Sequence, residues 1–159
     1  YKFKTKMEYF TDLGYLGLFI SCFLAATFII PFSPEVILGV LIVKGFNIQL
    51  TILIATIGNW LGGMTSYFVG RIGDWKKIEK YFKIKKDKVF AFKLKIDKWG
   101  SVLAFFTWFP LGGDILALSL GFFKVDAYKV SLWMLIGKFF RFIVSALVIY
   151  YGIDLIKFW

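Results

Sequence analysis

Hydrophobic positions in this chain fall in solid blocks, not in stripes. The blocks run over 13–30, 36–43, 48–69, 102–109, 115–123 and 130–151, separated by short polar or Pro/Gly-rich stretches. Amphipathic helices of a soluble domain would show polar residues recurring within each block. Two blocks, 48–69 and 130–151, exceed the roughly 20 apolar residues that cross a bilayer as a helix; 13–30 is borderline and the other three are too short. The pattern therefore predicts an all-α integral membrane protein that combines full spans with helices too short to cross alone.

The short helices are explained by where they stop. The segment PFSPE (Pro31–Glu35) breaks an apolar run with Pro31 and Pro34 and then places a carboxylate before VILGVLIV. Proline removes an N–H and clashes with the preceding turn, so the run ends there as a helix. A second such break, PLGGD (Pro110–Asp114), follows at an offset of 79 residues, with Gly112 and Gly113 beside its proline. The same offset maps Asn47 to Asp126, Gly58 to Gly137, Asn59 to Lys138 and Gly62 to Arg141 without a gap. This predicts an internal duplication. Each half reads as a short apolar helix, a break carrying an acid, a second short helix and one span (Asn47–Gly70 and Ala127–Tyr151). Irregular backbone at membrane depth is tolerated only where protein buries it or it lines a wet cavity. Each short pair is therefore expected to be a re-entrant hairpin. One net crossing per half makes the second half inverted relative to the first, an arrangement found in transporters. The expected organisation is an N-terminal interfacial segment 1–12, repeat 1 over 13–70, a basic linker 71–98, repeat 2 over 99–152 and a C-terminal end 153–159.

Composition sharpens this picture. Hydrophobic residues make up 59% and aromatics 21% of the 159 residues, well above a soluble domain. The net charge of +10 is concentrated: residues 71–98 hold 11 Lys/Arg against 4 Asp/Glu. Basic loops stay cytoplasmic, so this segment should set the orientation. Its aromatics (Trp75, Tyr81, Phe82, Phe90, Phe92) interleave with lysines as in an interfacial helix on anionic lipid, a better fit beside membrane spans than nucleic acid. With that segment inside, strict inversion puts Lys2, Lys4 and Lys6 outside; either they lie among headgroups or 13–30 spans fully. These lysines, the apolar run and LAAT also have the form of a signal peptide, but the run leads straight into PFSPE, which the repeat claims.

Four charged groups fall inside the apolar blocks: Glu35, Asp114, Lys138 and Arg141. Intramembrane charge is a functional signal by default. Lys138 and Arg141 are three apart and share a helix face. Arginine's fork suits phosphate oxygens and lysine supplies a point charge, so the pair is expected to bind an anionic group. Glu35 and Asp114 are expected to couple protons, with Asn59 lining the site. The competing reading is that the four charges neutralise one another and lock the bundle. Gly58, Gly62 and Gly70 fit close helix packing. Cys22 is read as a packed apolar residue, and Trp60, Trp108, Trp133 and Trp159 as packing or belt aromatics. The chain has no histidine, no cysteine pair and no metal-ligand cluster, so neither an enzyme nor a metal or cofactor is expected.

PFSPE, then Gly58, Gly62, Tyr67, Gly70 and Arg71 in the order G-x3-G-x4-Y-x2-GR, then WFPLGGD with Gly121 and a final span, together resemble the DedA family of the VTT-domain (SNARE-associated) superfamily. GNWLGG and WFPLGGD look most like its YqaA-type branch. The resemblance covers roughly 14–152. It implies a multi-pass inner-membrane protein with two facing re-entrant hairpins. It also implies a role in moving lipids, such as lipid-linked phosphates or phospholipids, between leaflets, tied to the proton-motive force. Glu35 matches the family's first-hairpin acid. Many members carry arginines three residues either side of the second-hairpin proline; this chain has Thr107 and Gly113 there, and its bases sit on the last span. The expected function is thus a proton-coupled carrier or flippase of an anionic lipid-linked substrate. A non-transporting scaffold, or a membrane enzyme acting on lipids, is the alternative. Membrane lipids are the expected partners, and two hairpin tips meeting suit a homodimer as well as a compact monomer.

Overall fold

The computed structural model describes residues 2–27, 33–74, 76, 80, 86–109 and 112–157. Pro31 and Pro110, Trp75, Tyr81, Phe82 and Trp159 lie outside the described residues. Every regular element among the described residues is helical. In chain order these are α1 (Lys2–Ala25), α2 (Pro34–Val43), α3 (Ile48–Ile72), α4 (Lys86–Phe90), α5 (Lys93–Trp99), a 3₁₀ helix (Gly100–Trp108), α6 (Gly113–Phe122) and α7 (Ala127–Lys157).

Among the described residues two helices are long and apolar enough to cross a membrane, α3 and the Ala127–Gly152 part of α7. The apolar parts of α1 (Leu13–Ala25), α2 and α6 are too short to do so unaided. Two features differ from the sequence reading. Residues 2–12, expected as a separate interfacial segment, continue the helix of α1. Their lysines and Glu8 interrupt apolarity but are good helix formers, so the helix does not stop where the hydrophobic block does. In the second half the helix before the break is a 3₁₀ helix of nine residues, longer than such helices usually run.

Both breaks end on helix-start chemistry. Ser33 is extended (φ −87°, ψ 108°) and Pro34 occupies the first turn of α2, where no N–H is needed. In the second half Phe109 is extended and Gly112 adopts φ 131°, a conformation that favours glycine, before α6 begins.

The turns that follow α2 and α6 repeat each other, bond for bond, at the 79-residue offset. Phe46 N–H donates to Leu41 O, and Val125 N–H to Leu120 O. Gly45 (φ 82°) and Lys124 (φ 54°) take the same left-handed place. Asn47 Oδ1 caps α3 by accepting from Leu50 N–H (3.0 Å), and Asp126 Oδ1 caps α7 by accepting from Lys129 N–H (2.8 Å). Asn47→Ala and Asp126→Ala should each lower thermal stability by about 1 kcal/mol, the usual worth of an N-cap, measured by melting in detergent.

Packing is close and backbone-mediated. A Cβ at Gly58 or Gly62 would come within 2.6 or 2.3 Å of Phe19 O or Phe23 O, so α1 lies directly on α3. A Cβ at Gly70 would sit 2.0 Å from Leu118 O, and one at Gly121 1.8 Å from Tyr67 O, so α6 and α3 touch by their main chains. Arg71 Nη1 donates to Tyr67 Oη (2.5 Å), whose hydroxyl donates to Val125 O (2.5 Å). This ties the end of α3 to the turn ahead of α7.

Large apolar side chains cover much of the outside, and several polar side chains are buried. Buried side chains include Thr51, Thr56, Asn59, Ser66, Thr107, Ser119 and Lys138, while Leu50, Leu53, Ile57, Leu61 and Phe68 of α3 and Ile136, Phe140, Val144 and Val148 of α7 are exposed. The buried hydroxyls of Thr51, Thr56 and Ser119 donate to carbonyls one turn back. An exposed apolar band around an interior that also holds polar groups is stable in lipid, not in water.

Candidate functional site

Arg141 lies midway along α7, about 21 Å from its start at 1.5 Å per residue. From there its fork reaches both breaks. Nη2 forms an ion pair with Glu35 Oε1, in the first turn of α2, and Nη1 donates to Trp108 O at the end of the 3₁₀ helix (2.9 Å). Ser33, the N-cap position of α2, donates its hydroxyl to Glu35 Oε2. The side chains of Glu35 and Arg141 stay about one-fifth exposed (23% and 19%), because a cleft of about 330 Å³ opens beside them. Ser33, Glu35, Trp108, Phe140, Arg141, Val144 and Ser145 line it. Phe140 and Val144 belong to the exposed apolar face of α7, so the cleft opens sideways onto that face.

The second base does something else. Lys138 is buried, and its Nζ donates to Asn59 Oδ1 (2.5 Å), while Asn59 Nδ2 donates to Cys22 O (3.0 Å). Gly63 makes room for the lysine: a Cβ there would lie 3.0 Å from Lys138 Cε. Asn59 and Lys138 each stand eleven residues past the first residue of their helix, Ile48 and Ala127.

The expected pairing of two acids and two bases in one pocket is corrected accordingly. Glu35 and Arg141 meet on the cleft wall, whereas Lys138 and Asn59 form a closed polar contact between α1, α3 and α7. Asp114, in the first turn of α6, does not line the cleft. The reason is packing: a Cβ at Gly113 would stand 2.1 Å from Thr107 O, which pins the start of α6 to the 3₁₀ helix. Gly58, Gly62 and Gly70 stand at the helix contacts described above. Cys22 is a buried free thiol in a core cluster with Leu18, Leu38, Leu41, Ile42, Ala55, Phe142 and Ala146.

The chain was compared with known proteins. It is 30% identical over 135 residues to inner membrane protein YqaA of Escherichia coli K12, covering 84% of this chain and 89% of that one. The Shigella flexneri protein of the same name matches equally. An uncharacterized protein of Haemophilus influenzae is 31% identical over 134 residues, covering 79% of this chain and 81% of that one. No family model and no solved structure matches.

The chain belongs to the YqaA-type branch of the DedA family. The coarse reading, an all-helical membrane protein of this type, is thereby fixed. In this DedA protein the base on the cleft comes from α7, and Arg141 hydrogen-bonds Trp108 O at the end of the 3₁₀ helix.

Three cleft residues that carry polar groups are absent from the sequence prediction of the site. Ser145 is four residues after Arg141, on the same helix face, and that spacing was a usable signal. Ser33 lies within PFSPE, next to the acid it bonds. Trp108 lies within WFPLGGD, but an aromatic in an apolar block reads as packing. Its Nε1–H is buried and has no partner among the described residues.

Proposed function

We propose that this DedA-family protein is a multi-pass inner-membrane carrier or flippase for an anionic lipid headgroup, a lipid-linked phosphate or a phospholipid, coupled to protons and not an enzyme. The observation that carries the reading is Arg141. A base at mid-helix depth, held by groups from both breaks, stands on a cleft that opens onto an apolar surface. A headgroup can enter such a cleft while its tails stay in lipid. An oxyanion arriving at Arg141 competes with Glu35 for the guanidinium, and a carboxylate stripped of its partner at that depth favours taking a proton. Anion binding and proton binding are thus linked through one ion pair. The buried Lys138–Asn59 contact holds the spans together.

The architecture we infer is an inverted repeat, each half a re-entrant hairpin and a span joined by the basic interfacial segment. Support comes from contacts that exchange places at the 79-residue offset. Gly70 of α3 meets Leu118 of α6, and Gly39 of α2 faces Ile149 of α7, whose Cδ1 would lie 3.4 Å from a Cβ there. Asn59 and Lys138, equivalent to each other at that offset, bond directly. Two-fold-related halves produce both patterns.

The test is reconstitution in phosphatidylcholine vesicles containing a trace of phosphatidic acid with an NBD-labelled acyl chain. Dithionite quenching then reports transbilayer movement. Wild type should accelerate movement, and Glu35→Gln and Arg141→Ala should each slow it roughly 10- to 100-fold, the worth of a charge-assisted contact. The internally satisfied Glu35–Arg141 pair also favours a second reading, a membrane scaffold. The exchange Glu35→Arg with Arg141→Glu separates the two: a scaffold keeps its cellular function, a carrier folds and loses transport.

A further inference from the structure

We propose that Trp108 is a headgroup-recognition residue, its indole N–H serving with Arg141 as a second donor to a phosphate-type oxyanion in the cleft. The inference rests on the carrier reading above. Three polar groups of the wall satisfy one another: Ser33 and Arg141 both engage Glu35, and Arg141 also engages Trp108 O. Trp108 lines the same cleft, and its Nε1 is a buried donor with no acceptor among the described residues. Leaving a desolvated donor unpaired is unfavourable, and native structures hold few of them. A ring needed only for packing would do as well as phenylalanine, which has no donor to strand.

The position gives the donor a use. Arg141 is hydrogen-bonded to the backbone of this same tryptophan, so an oxyanion drawn to the guanidinium arrives beside Trp108, on a wall that both residues share. Phosphate oxygens offer several acceptors, and one guanidinium already divided between Glu35 and Trp108 O cannot serve them all. The indole N–H is a neutral donor that neither accepts nor titrates. It cannot be captured by the Arg141–Glu35 pair through charge, and it remains a donor whether Glu35 carries a proton or not. Ser145, one turn beyond Arg141, adds a hydroxyl to the same wall.

The test compares Trp108→Phe with wild type in the NBD-phosphatidic acid assay, together with melting in detergent with and without dihexanoyl phosphatidic acid. The expected result is a split. KM for the probe rises roughly tenfold with kcat near wild type, the short-chain lipid no longer raises Tm, and the Tm without lipid is unchanged or higher because an unpaired donor is gone. If Trp108→Phe does not fold, benzothienylalanine at 108, which replaces the N–H with sulfur at nearly constant shape, should give the same KM shift. Excess inorganic phosphate distinguishes the source of the oxyanion: inhibition marks a site open to the free ion, and its absence a headgroup delivered from the membrane. Either result supports the assignment when the affinity loss is present. An unchanged KM alongside loss of transport in Arg141→Ala overturns Trp108 alone. A wild type that neither moves nor is stabilised by phosphatidic acid overturns the carrier reading and Trp108 with it.

Discussion

Gly121→Ala should leave little folded protein. The added methyl would have to occupy a point 1.8 Å from Tyr67 O and 3.0 Å from Arg71 N, both of them backbone atoms of α3. No rotamer change can clear a main-chain carbonyl, so α6 and α3 must move apart along the contact where Gly70 meets Leu118 O. That shift also strains the Arg71–Tyr67–Val125 bonds at the end of α3. Overpacking in cores typically costs about 1–3 kcal/mol, and an obstacle that cannot rotate away places this site at or above the upper end. Gly70→Ala, whose methyl would lie 2.0 Å from Leu118 O, should behave alike. Gly17→Ala is the control: it lies within α1 with nothing near its Cβ, and should be neutral or stabilising by about 0.5–1 kcal/mol. Recovery of a monodisperse peak after detergent extraction, and the melting midpoint of what is recovered, measure the difference.

Asn59→Leu should be the second severe substitution, and a second change should repair it. A neutral hydrogen bond between membrane helices is worth only about 0.6 kcal/mol. Here the partner left behind is the ammonium of Lys138, buried and held by that bond. Stranding a buried charge costs about 3–5 kcal/mol. Lys138→Met alone strands the amide oxygen of Asn59, at about 1–3 kcal/mol. The double variant Asn59→Leu with Lys138→Met removes both polar groups and should melt close to wild type. Failure of the double variant to recover would mean that the pair does not act as a closed unit.

The fold was legible where length and apolarity act together. The two spans appear within a few residues of their expected limits, because no soluble element needs so long an unbroken apolar run. α2 and α6 were legible through Pro34, Gly113 and the acid that follows each, since helix starts have a local chemistry. The course of α1 was not, because a hydrophobic block marks where lipid can be, not where a helix begins. Nor was the 3₁₀ geometry of Gly100–Trp108, whose apolar sequence fits either helix type. In the site, the four charges were visible as costly residues, but their partners were not. Glu35 and Arg141 are far apart in sequence, and nothing local tells Glu35 to choose Arg141 over Lys138. That choice follows from Asn59 having claimed the lysine. Trp108 escaped notice because a stranded donor is a property of surroundings, not of residue type.

The contact between Asn59 and Lys138 has a consequence for how such a protein can be assembled. Where two identical subunits face each other across a dyad, the residue on the axis meets its own copy, so lysine would confront lysine and asparagine would mirror asparagine. A single chain built as the proposed inverted repeat, with two unlike copies, escapes that identity and can set a hydrogen-bond acceptor against a cation, as Asn59 is set against Lys138. On that proposal, the seam between the halves is a place where symmetry has been given up for complementarity.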